Sequence, residues 1–266
     1  QNPIGLFKLF SSPVISYRHV PFLKRHFHLI TMKEFLENRK DVGKNVQAIY
    51  LWWHKPVIDK ELLQSLPNLK VIANSGVGMD HLDLKLIASF GVKMANAPQA
   101  VSSTTADTGM ALLMDYCEAD ILGVKVAGAT LGIIGMGCIG YKIAVRAKAF
   151  EMSILYHNRT QSQYFLFKDL LQQADFVMLA VSTTQIHWLV SQHALPTGVI
   201  RAAALDVTSP EPLPRDHALL KLKSVIITPH LGITTDKATY MITEEAVENI
   251  LAALNGLPLP SEVLPS

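Results

Sequence analysis

Short apolar runs alternate with stretches of helical periodicity along most of this 266-residue chain. Such alternation is typical of βα units that assemble into a parallel sheet. The predicted strands are 46–51, 70–73, 92–95, 130–134, 153–156, 176–180, 202–207 and 225–228, and the predicted helices are 59–66, 83–89, 102–115 and 235–254. The pattern therefore predicts an α/β fold.

Polar residues and glycines mark where several of these helices begin and end. Asp59 is the predicted N-cap of the helix at 59–66. Gly91 ends the helix at 83–89, and Asn255-Gly256 ends the helix at 235–254. We expect the last helix to return to the N-terminal region, about residues 1–98, and pack on it. Its predicted apolar face comprises Met241, Ala246, Val247, Ile250, Leu251 and Leu254.

Composition narrows the class of protein. Hydrophobic residues make up 49% of the chain and charged residues 17%, which excludes disorder as the dominant state. The net charge is only +2 and the longest basic cluster is 24–26, so we expect no nucleic-acid partner. The chain has two cysteines, and we find no signal peptide and no apolar run long enough to span a membrane. These features predict a cytoplasmic protein without a membrane partner. No metal site is predicted.

A glycine motif lies between a predicted strand and a predicted helix. Gly135, Gly137 and Gly140 have the GxGxxG spacing, with Cys138 and Ile139 inside the motif. In a dinucleotide site the first glycine makes the tight turn, the second admits the pyrophosphate, and the third allows close helix–strand packing. The pyrophosphate then lies at the helix N-terminus. The alternative is a glycine-rich βα turn without a ligand.

The strand after this motif bears on which dinucleotide binds. An NAD site expects an acid about 20 residues on, which bonds the ribose 2′-hydroxyl. Asn158, Arg159 and Thr160 stand there instead. Since a cation and hydrogen-bond donors suit a 2′-phosphate, NADP is favoured over NAD. The alternative is that Arg159 is an ordinary surface arginine.

Three ionisable residues lie at or after the ends of the last two predicted strands, 202–207 and 225–228. Asp206 follows one strand, with Glu211 five residues later, and His230 follows the next strand. Ligands of open α/β sheets gather at the carboxyl ends of strands. A histidine beside a carboxylate is a natural proton donor to a carbonyl that receives hydride.

Together these stretches resemble the D-isomer-specific 2-hydroxyacid dehydrogenases, most closely the glyoxylate/hydroxypyruvate reductases. The resemblance is carried by residues 66–80, 135–140, 206–214 and 228–230. It implies two Rossmann-like domains: a doubly wound parallel-sheet cofactor domain at 102–233, inserted in a smaller flavodoxin-like substrate domain at 1–101 and 234–266. It also implies a homodimer that reduces a small 2-keto acid to the D-2-hydroxy acid with NADPH.

The resemblance implies a role for each matching residue. His230 is the acid/base and Glu211 its carboxylate partner. Val77 and Gly78 offer backbone N–H groups to the substrate carboxylate. On the cofactor side, Ser182 lines the cleft, Asp206 lies near the nicotinamide end and Gly232 packs close to the ring.

The chain departs from the family pattern in the connection 181–201. Family members carry a further strand and an Arg-Gly turn there, and this connection contains no Arg-Gly pair. The stretches near 114–122 and 160–168 are also short, and the former corresponds to the dimerisation arm. Loss of a central strand leaves backbone groups unpaired, each costing ~1–3 kcal/mol if buried, unless the sheet re-pairs.

Two explanations of the short segments are open: a shortened variant, or an ordinary enzyme from whose sequence these segments are missing. Three functional hypotheses follow. The first is an NADPH-dependent 2-keto acid reductase, and the second is a catalytically impaired NADP(H)-binding relative that acts as a sensor or interaction partner. The third is a destabilised chain with no function of its own.

Overall fold

A computed structural model describes residues 7–11, 19–52, 56–118, 125–158, 167–181, 203–208, 211–223 and 225–265 of the chain. The chain divides into two compact units. Unit 1 comprises Gln1–Val101 and Asp236–Ser266, and unit 2 comprises Ser102–Thr235. Among the described residues, no helix is both long and apolar enough to cross a membrane.

Strands and helices alternate along the described chain. The strands are β1 Phe7–Ser11, β2 Phe27–Ile30, β3 Val46–Leu51, β4 Val71–Asn74, β5 Lys93–Ala95, β6 Thr130–Ile134, β7 Ser153–His157, β8 Phe176–Leu179, β9 Ala203–Leu205 and β10 Val225–Ile227. The helices are α1 Val20–His26, α2 Met32–Glu37, α3 Arg39–Gly43, α4 Lys60–Gln64, α5 Leu84–Ser89, α6 Pro98–Glu118, α7 Cys138–Ala149, α8 Phe167–Gln173 and α9 Asp236–Leu254. A 3-10 helix spans Ala218–Lys221.

The sheet of unit 1 is parallel and has the strand order β2-β1-β3-β4-β5. This is the doubly wound order of flavodoxin-like folds. Strands β3 and β4 are buried along nearly their whole length, as expected where helices cover both faces of a parallel sheet. The α/β fold class predicted from the sequence is confirmed.

Aspartate side chains start two helices of unit 1. Asp59 accepts a hydrogen bond from the backbone N–H of Leu62 at 2.8 Å, which confirms it as the N-cap of α4. Asp83 does the same for α5 through Leu86 at 2.9 Å. Each carboxylate satisfies an N–H group that lacks a partner in the first helical turn.

Helix α9 packs on β3, β4 and β5 of unit 1, as predicted. The Tyr50 hydroxyl lies 3.4 Å from the Thr243 hydroxyl, and complete burial raises the pKa of Tyr50. One residue of the predicted apolar face is wrong: Met241 is 39% exposed, whereas Ile242 is buried. At 100° per residue, position 242 lies in line with 246 and 250, and position 241 does not.

Unit 2 contains a parallel sheet of order β7-β6-β8 and a parallel β9–β10 pair. Its core contains Leu131, Ile133, Ile143 and Ala147, which come from β6 and α7. Helix α6 begins at Pro98, four residues before the predicted start at 102. Proline is well suited to the first helical position because the N–H that it lacks has no partner there.

Removing a buried side chain from β4 tests the core of unit 1. Ile72 is fully buried, so Ile72→Ala is expected to lower the free energy of unfolding by ~2–5 kcal/mol through lost burial and a cavity. Chemical denaturation followed by circular dichroism measures the change. Leu36 is 65% exposed, and Leu36→Ala should change stability by less than ~0.5 kcal/mol. Equal losses in the two variants would contradict this assignment of the core.

Candidate active site

The glycine motif forms the turn between β6 and α7. Gly135 has a φ of +96°, and a Cβ there would come within 2.5 Å of the Ala180 carbonyl oxygen. A Cβ at Gly140 would collide with the carbonyl oxygen of Gly135. The first and third glycines are therefore required by the turn itself, because any side chain there would force the backbone apart.

Gly137 differs from the other two glycines. It is the N-cap of α7 with φ −83° and ψ −163°, a conformation open to any residue, and a Cβ there would meet no atom of the described residues within 4 Å. The open space lies at the N-terminus of a helix of 12 residues, next to the exposed Cys138. Such a cradle fits the pyrophosphate of a dinucleotide. Ile139 is partly buried against the core of unit 2.

The end of β7 lies beside the glycine turn. The backbone N–H of Gly135 donates to the His157 carbonyl oxygen at 2.9 Å, and Asn158 follows directly. Three predicted cofactor residues, Arg159, Thr160 and Ser182, lie outside the described residues. The geometry thus places the start of the predicted ribose-binding segment next to the predicted pyrophosphate turn, within unit 2.

The two predicted catalytic side chains are in contact. His230 Nδ1 lies 3.0 Å from Glu211 Oε1, and each side chain is 30% exposed. His230 has a φ of +53°, which is uncommon for a residue other than glycine. The contact pairs Nδ1 with the carboxylate. A proton-transfer role for Nε2 stays a prediction.

Asp206 anchors the backbone on both sides of His230. Its Oδ1 accepts hydrogen bonds from the Thr228 hydroxyl at 2.6 Å and the Leu231 N–H at 2.7 Å, and its Oδ2 accepts from the Gly232 N–H at 2.8 Å. Its carbonyl oxygen accepts the His230 N–H at 2.9 Å. These contacts hold the left-handed backbone of His230. The cofactor contact of Asp206 stays a prediction.

Two residues near His230 show how tightly this turn is built. Sequence reasoning identified Thr228 only as part of a motif and missed the bond from its hydroxyl to Asp206. The sequence does contain a signal for this bond, since a hydroxyl residue and an acid each directly follow one of two neighbouring strands. A Cβ at Gly232 would come within 3.0 Å of Asp206 Oδ2 and 3.4 Å of Thr105, so this position requires a small residue. The contact of Gly232 with a nicotinamide ring stays a prediction.

Val77 and Gly78 lie in unit 1, in the loop that follows β4. Val77 is 38% exposed, and among the residues that the structure describes none would lie within 4 Å of a Cβ at Gly78. Side-chain amides of Asn74 and Asn96 bond the carbonyl oxygens of this loop. Sequence reasoning did not identify these amides, although Asn74 stands at the carboxyl end of a buried strand. The carboxylate-binding role of Val77 and Gly78 stays a prediction.

Comparison with known proteins identifies relatives over nearly the whole chain. The model of the D-isomer specific 2-hydroxyacid dehydrogenase catalytic domain matches residues 8–264. The chain is 33% identical to the human glyoxylate reductase/hydroxypyruvate reductase, over 77% of this chain and 80% of the relative. It is 30% identical to glyoxylate/hydroxypyruvate reductase B of Enterobacter, over 91% of this chain and 95% of the relative.

The fold is also similar to that of solved structures over nearly the whole chain. The structure of an NADPH-dependent glyoxylate/hydroxypyruvate reductase from Sinorhizobium meliloti, in complex with NADP and malonate, matches with a TM-score of 0.83 at 23% identity. The match covers 97% of each chain. The alignment with the Enterobacter relative runs over 309 residues, more than the 266 of this chain, so it includes positions at which this chain has no residue.

The substitution Gly137→Ala tests dinucleotide binding separately from folding. Because its Cβ would point into open space, Gly137→Ala should keep the melting temperature and weaken NADPH binding by about tenfold or more. A fluorescence titration with NADPH measures the affinity. Gly140→Ala is the matched comparison, since the same methyl group there collides with the Gly135 carbonyl and should lower the melting temperature. Unchanged NADPH affinity in Gly137→Ala would exclude this turn as the pyrophosphate site.

Proposed function

We propose that this chain, which belongs to the family of D-isomer specific 2-hydroxyacid dehydrogenases, reduces a small 2-keto acid to the D-2-hydroxy acid with NADPH. Glyoxylate and hydroxypyruvate are the proposed substrates because the human and Enterobacter relatives are named for them. The observation that carries the proposal is the 3.0 Å contact between His230 and Glu211. It supplies an oriented proton donor for the carbonyl oxygen.

The proton transfer follows from the arrangement around His230. Glu211 contacts Nδ1 and orients the ring, and Nε2 is the atom that donates a proton to the substrate carbonyl oxygen. The hydride that C2 of the substrate needs is the chemistry that bound NADPH supplies. Asp206 holds the backbone of His230, and this reduces the motion of the ring relative to the substrate. In the reverse direction Nε2 accepts the proton.

Backbone groups are proposed to bind the substrate carboxylate. The N–H groups of Val77 and Gly78 are the assigned donors. Residues 181–201 contain no Arg-Gly pair that would add a bidentate clamp on the carboxylate. Substrate affinity in this chain therefore depends more heavily on the backbone donors of unit 1.

The proposed cofactor contacts extend along unit 2. The turn from Gly135 to Gly140 holds the pyrophosphate, and Asn158, Arg159 and Thr160 hold the 2′-phosphate. Ser182 lines the cleft, while Asp206 and Gly232 lie at the nicotinamide end. The open space at Gly137 supports the first of these contacts, and the absence of an acid at 157–160 supports the second. The dimer and the cytoplasmic location stay predictions.

The role of His230 is tested by His230→Asn. This variant should lower kcat for glyoxylate by about 10²–10⁴-fold and leave NADPH affinity unchanged, because the ring donates the proton and its removal leaves the glycine turn intact. Stopped-flow absorbance of NADPH measures the rate. His28→Asn removes an exposed histidine in unit 1 and serves as the control. Turnover by His230→Asn at the wild-type rate would rule out this mechanism.

The cofactor preference is tested at Arg159. If its guanidinium binds the 2′-phosphate, Arg159→Ala should weaken NADPH binding by about 10–100-fold and leave NADH binding nearly unchanged. Parallel fluorescence titrations measure the two affinities. The exposed Arg25 offers a control substitution to alanine elsewhere. Equal changes for both dinucleotides would make Arg159 a surface residue and remove the argument for NADPH.

A second function competes with the first because the Arg-Gly segment is missing. In that case the chain binds NADP(H) without turnover and serves as a sensor or interaction partner. Intact mass, NADPH binding and glyoxylate turnover, measured on one sample, separate the two. A mass of 29.3 kDa with tight NADPH binding and no turnover supports the second function. Oxidation of NADPH supports the first.

A further inference from the structure

Two asparagine side chains hold three consecutive carbonyl groups of the loop after β4. Asn74 Nδ2 donates to the carbonyl oxygens of Gly76 and Gly78, each at 3.0 Å. Asn96 Nδ2 donates to the carbonyl oxygen of Val77 at 3.1 Å. The carbonyls of residues 76, 77 and 78 are thus held by side-chain amides, and the backbone N–H of Ala97 also donates to the Gly76 carbonyl oxygen at 3.4 Å.

Fixing these carbonyls also fixes the N–H groups of the same peptides. In a trans peptide the C=O of one residue and the N–H of the next point in opposite directions. The N–H groups of Val77, Gly78 and Met79 therefore point away from the oxygens that the two asparagines hold. Within the described part of the chain, none of these three N–H groups donates a hydrogen bond to a protein acceptor.

The surroundings of the loop differ on its two sides. Asn74 is only 3% exposed, so its amide lies on the protein side of the loop and is committed to the two carbonyls. Val77 and Gly78 are exposed, and the position of a Cβ on Gly78 is open. Successive backbone N–H groups in a turn can form a nest that binds an anion, and the three N–H groups of this loop are successive.

We propose that Asn74 and Asn96 are positioning residues for the substrate carboxylate, and that Met79 adds a third N–H donor to those of Val77 and Gly78. The inference rests on the proposed function, since it takes the anion to be the carboxylate of a small 2-keto acid. The two amides do not touch the substrate. They prevent the three peptides from rotating, so the free energy of ordering the donors is expended during folding and not during binding.

Because residues 181–201 contain no Arg-Gly pair, carboxylate affinity depends more strongly on the loop that these amides hold. Where an arginine fork grips a carboxylate, a loosened loop leaves part of the affinity intact. Here the nest has no such help, so each peptide that turns away removes a hydrogen bond to a charged group. Such bonds contribute about 10–100-fold to affinity.

The test measures carboxylate binding without requiring turnover. Full-length protein saturated with NADPH is titrated with oxamate, a carboxylate that cannot be reduced, by calorimetry. Asn74→Ala and Asn96→Ala should each weaken oxamate binding about tenfold or more and raise KM for glyoxylate, with kcat and NADPH affinity little changed. Asn96 is only partly buried, so Asn96→Ala keeps the test valid if Asn74→Ala does not fold.

Asn68→Ala is the matched control. Asn68 also donates its amide to a backbone carbonyl, that of Lys44 at 2.6 Å, but it lies outside this loop. It should leave oxamate binding and KM unchanged. Wild-type affinity for oxamate in both Asn74→Ala and Asn96→Ala overturns the inference and leaves the proposed function standing if glyoxylate is still reduced. Failure of the wild-type protein to bind oxamate overturns the inference and the proposed substrate together.

Discussion

Each functional loop leaves its sheet at the carboxyl end of a parallel strand, where the backbone loses its ladder partners and must find others. Buried N–H and C=O groups without partners are costly, and in two of these loops a side chain supplies the missing bonds. Asn74 does this for the loop after β4, and Asp206 does it for the turn that carries His230. Both residues stand where a strand ends, and both are polar for this reason.

The chemistry of the two anchors determines what each loop offers to a ligand. An amide donates, so Asn74 takes up carbonyl oxygens and leaves N–H groups for an anion. A carboxylate accepts, so Asp206 takes up N–H groups and the Thr228 hydroxyl. In this way it holds His230 in a left-handed conformation that residues other than glycine seldom adopt. The anchors act by positioning, and the groups they position carry the proposed chemistry.

The glycine turn follows a different rule, because there the backbone itself approaches a neighbour. A side chain at Gly135 or Gly140 would collide with protein atoms, whereas one at Gly137 would meet no atom of the part of the chain that the structure describes. A motif that reads as three equivalent glycines therefore contains two that the fold requires and one that it does not. The one without a structural reason is the strongest argument for a ligand at this turn.

The sequence by itself determined the fold class, the helix cap at Asp59 and the glycine motif, and the family resemblance of its motifs implied the His230–Glu211 pair. These features depend on local spacing or on motifs spread along the chain, and both are visible in one dimension. It assigned no element to residues 1–45, where β1, β2 and three short helices form. It also began α6 four residues late and placed Met241 on the wrong face of α9. Only the tertiary structure decided which atoms Asn74, Asn96, Thr228 and Asp206 bind. Thr228 and Asp206 lie 22 positions apart and Asn96 and Val77 lie 19 apart, and no periodicity of the sequence indicates that these pairs meet.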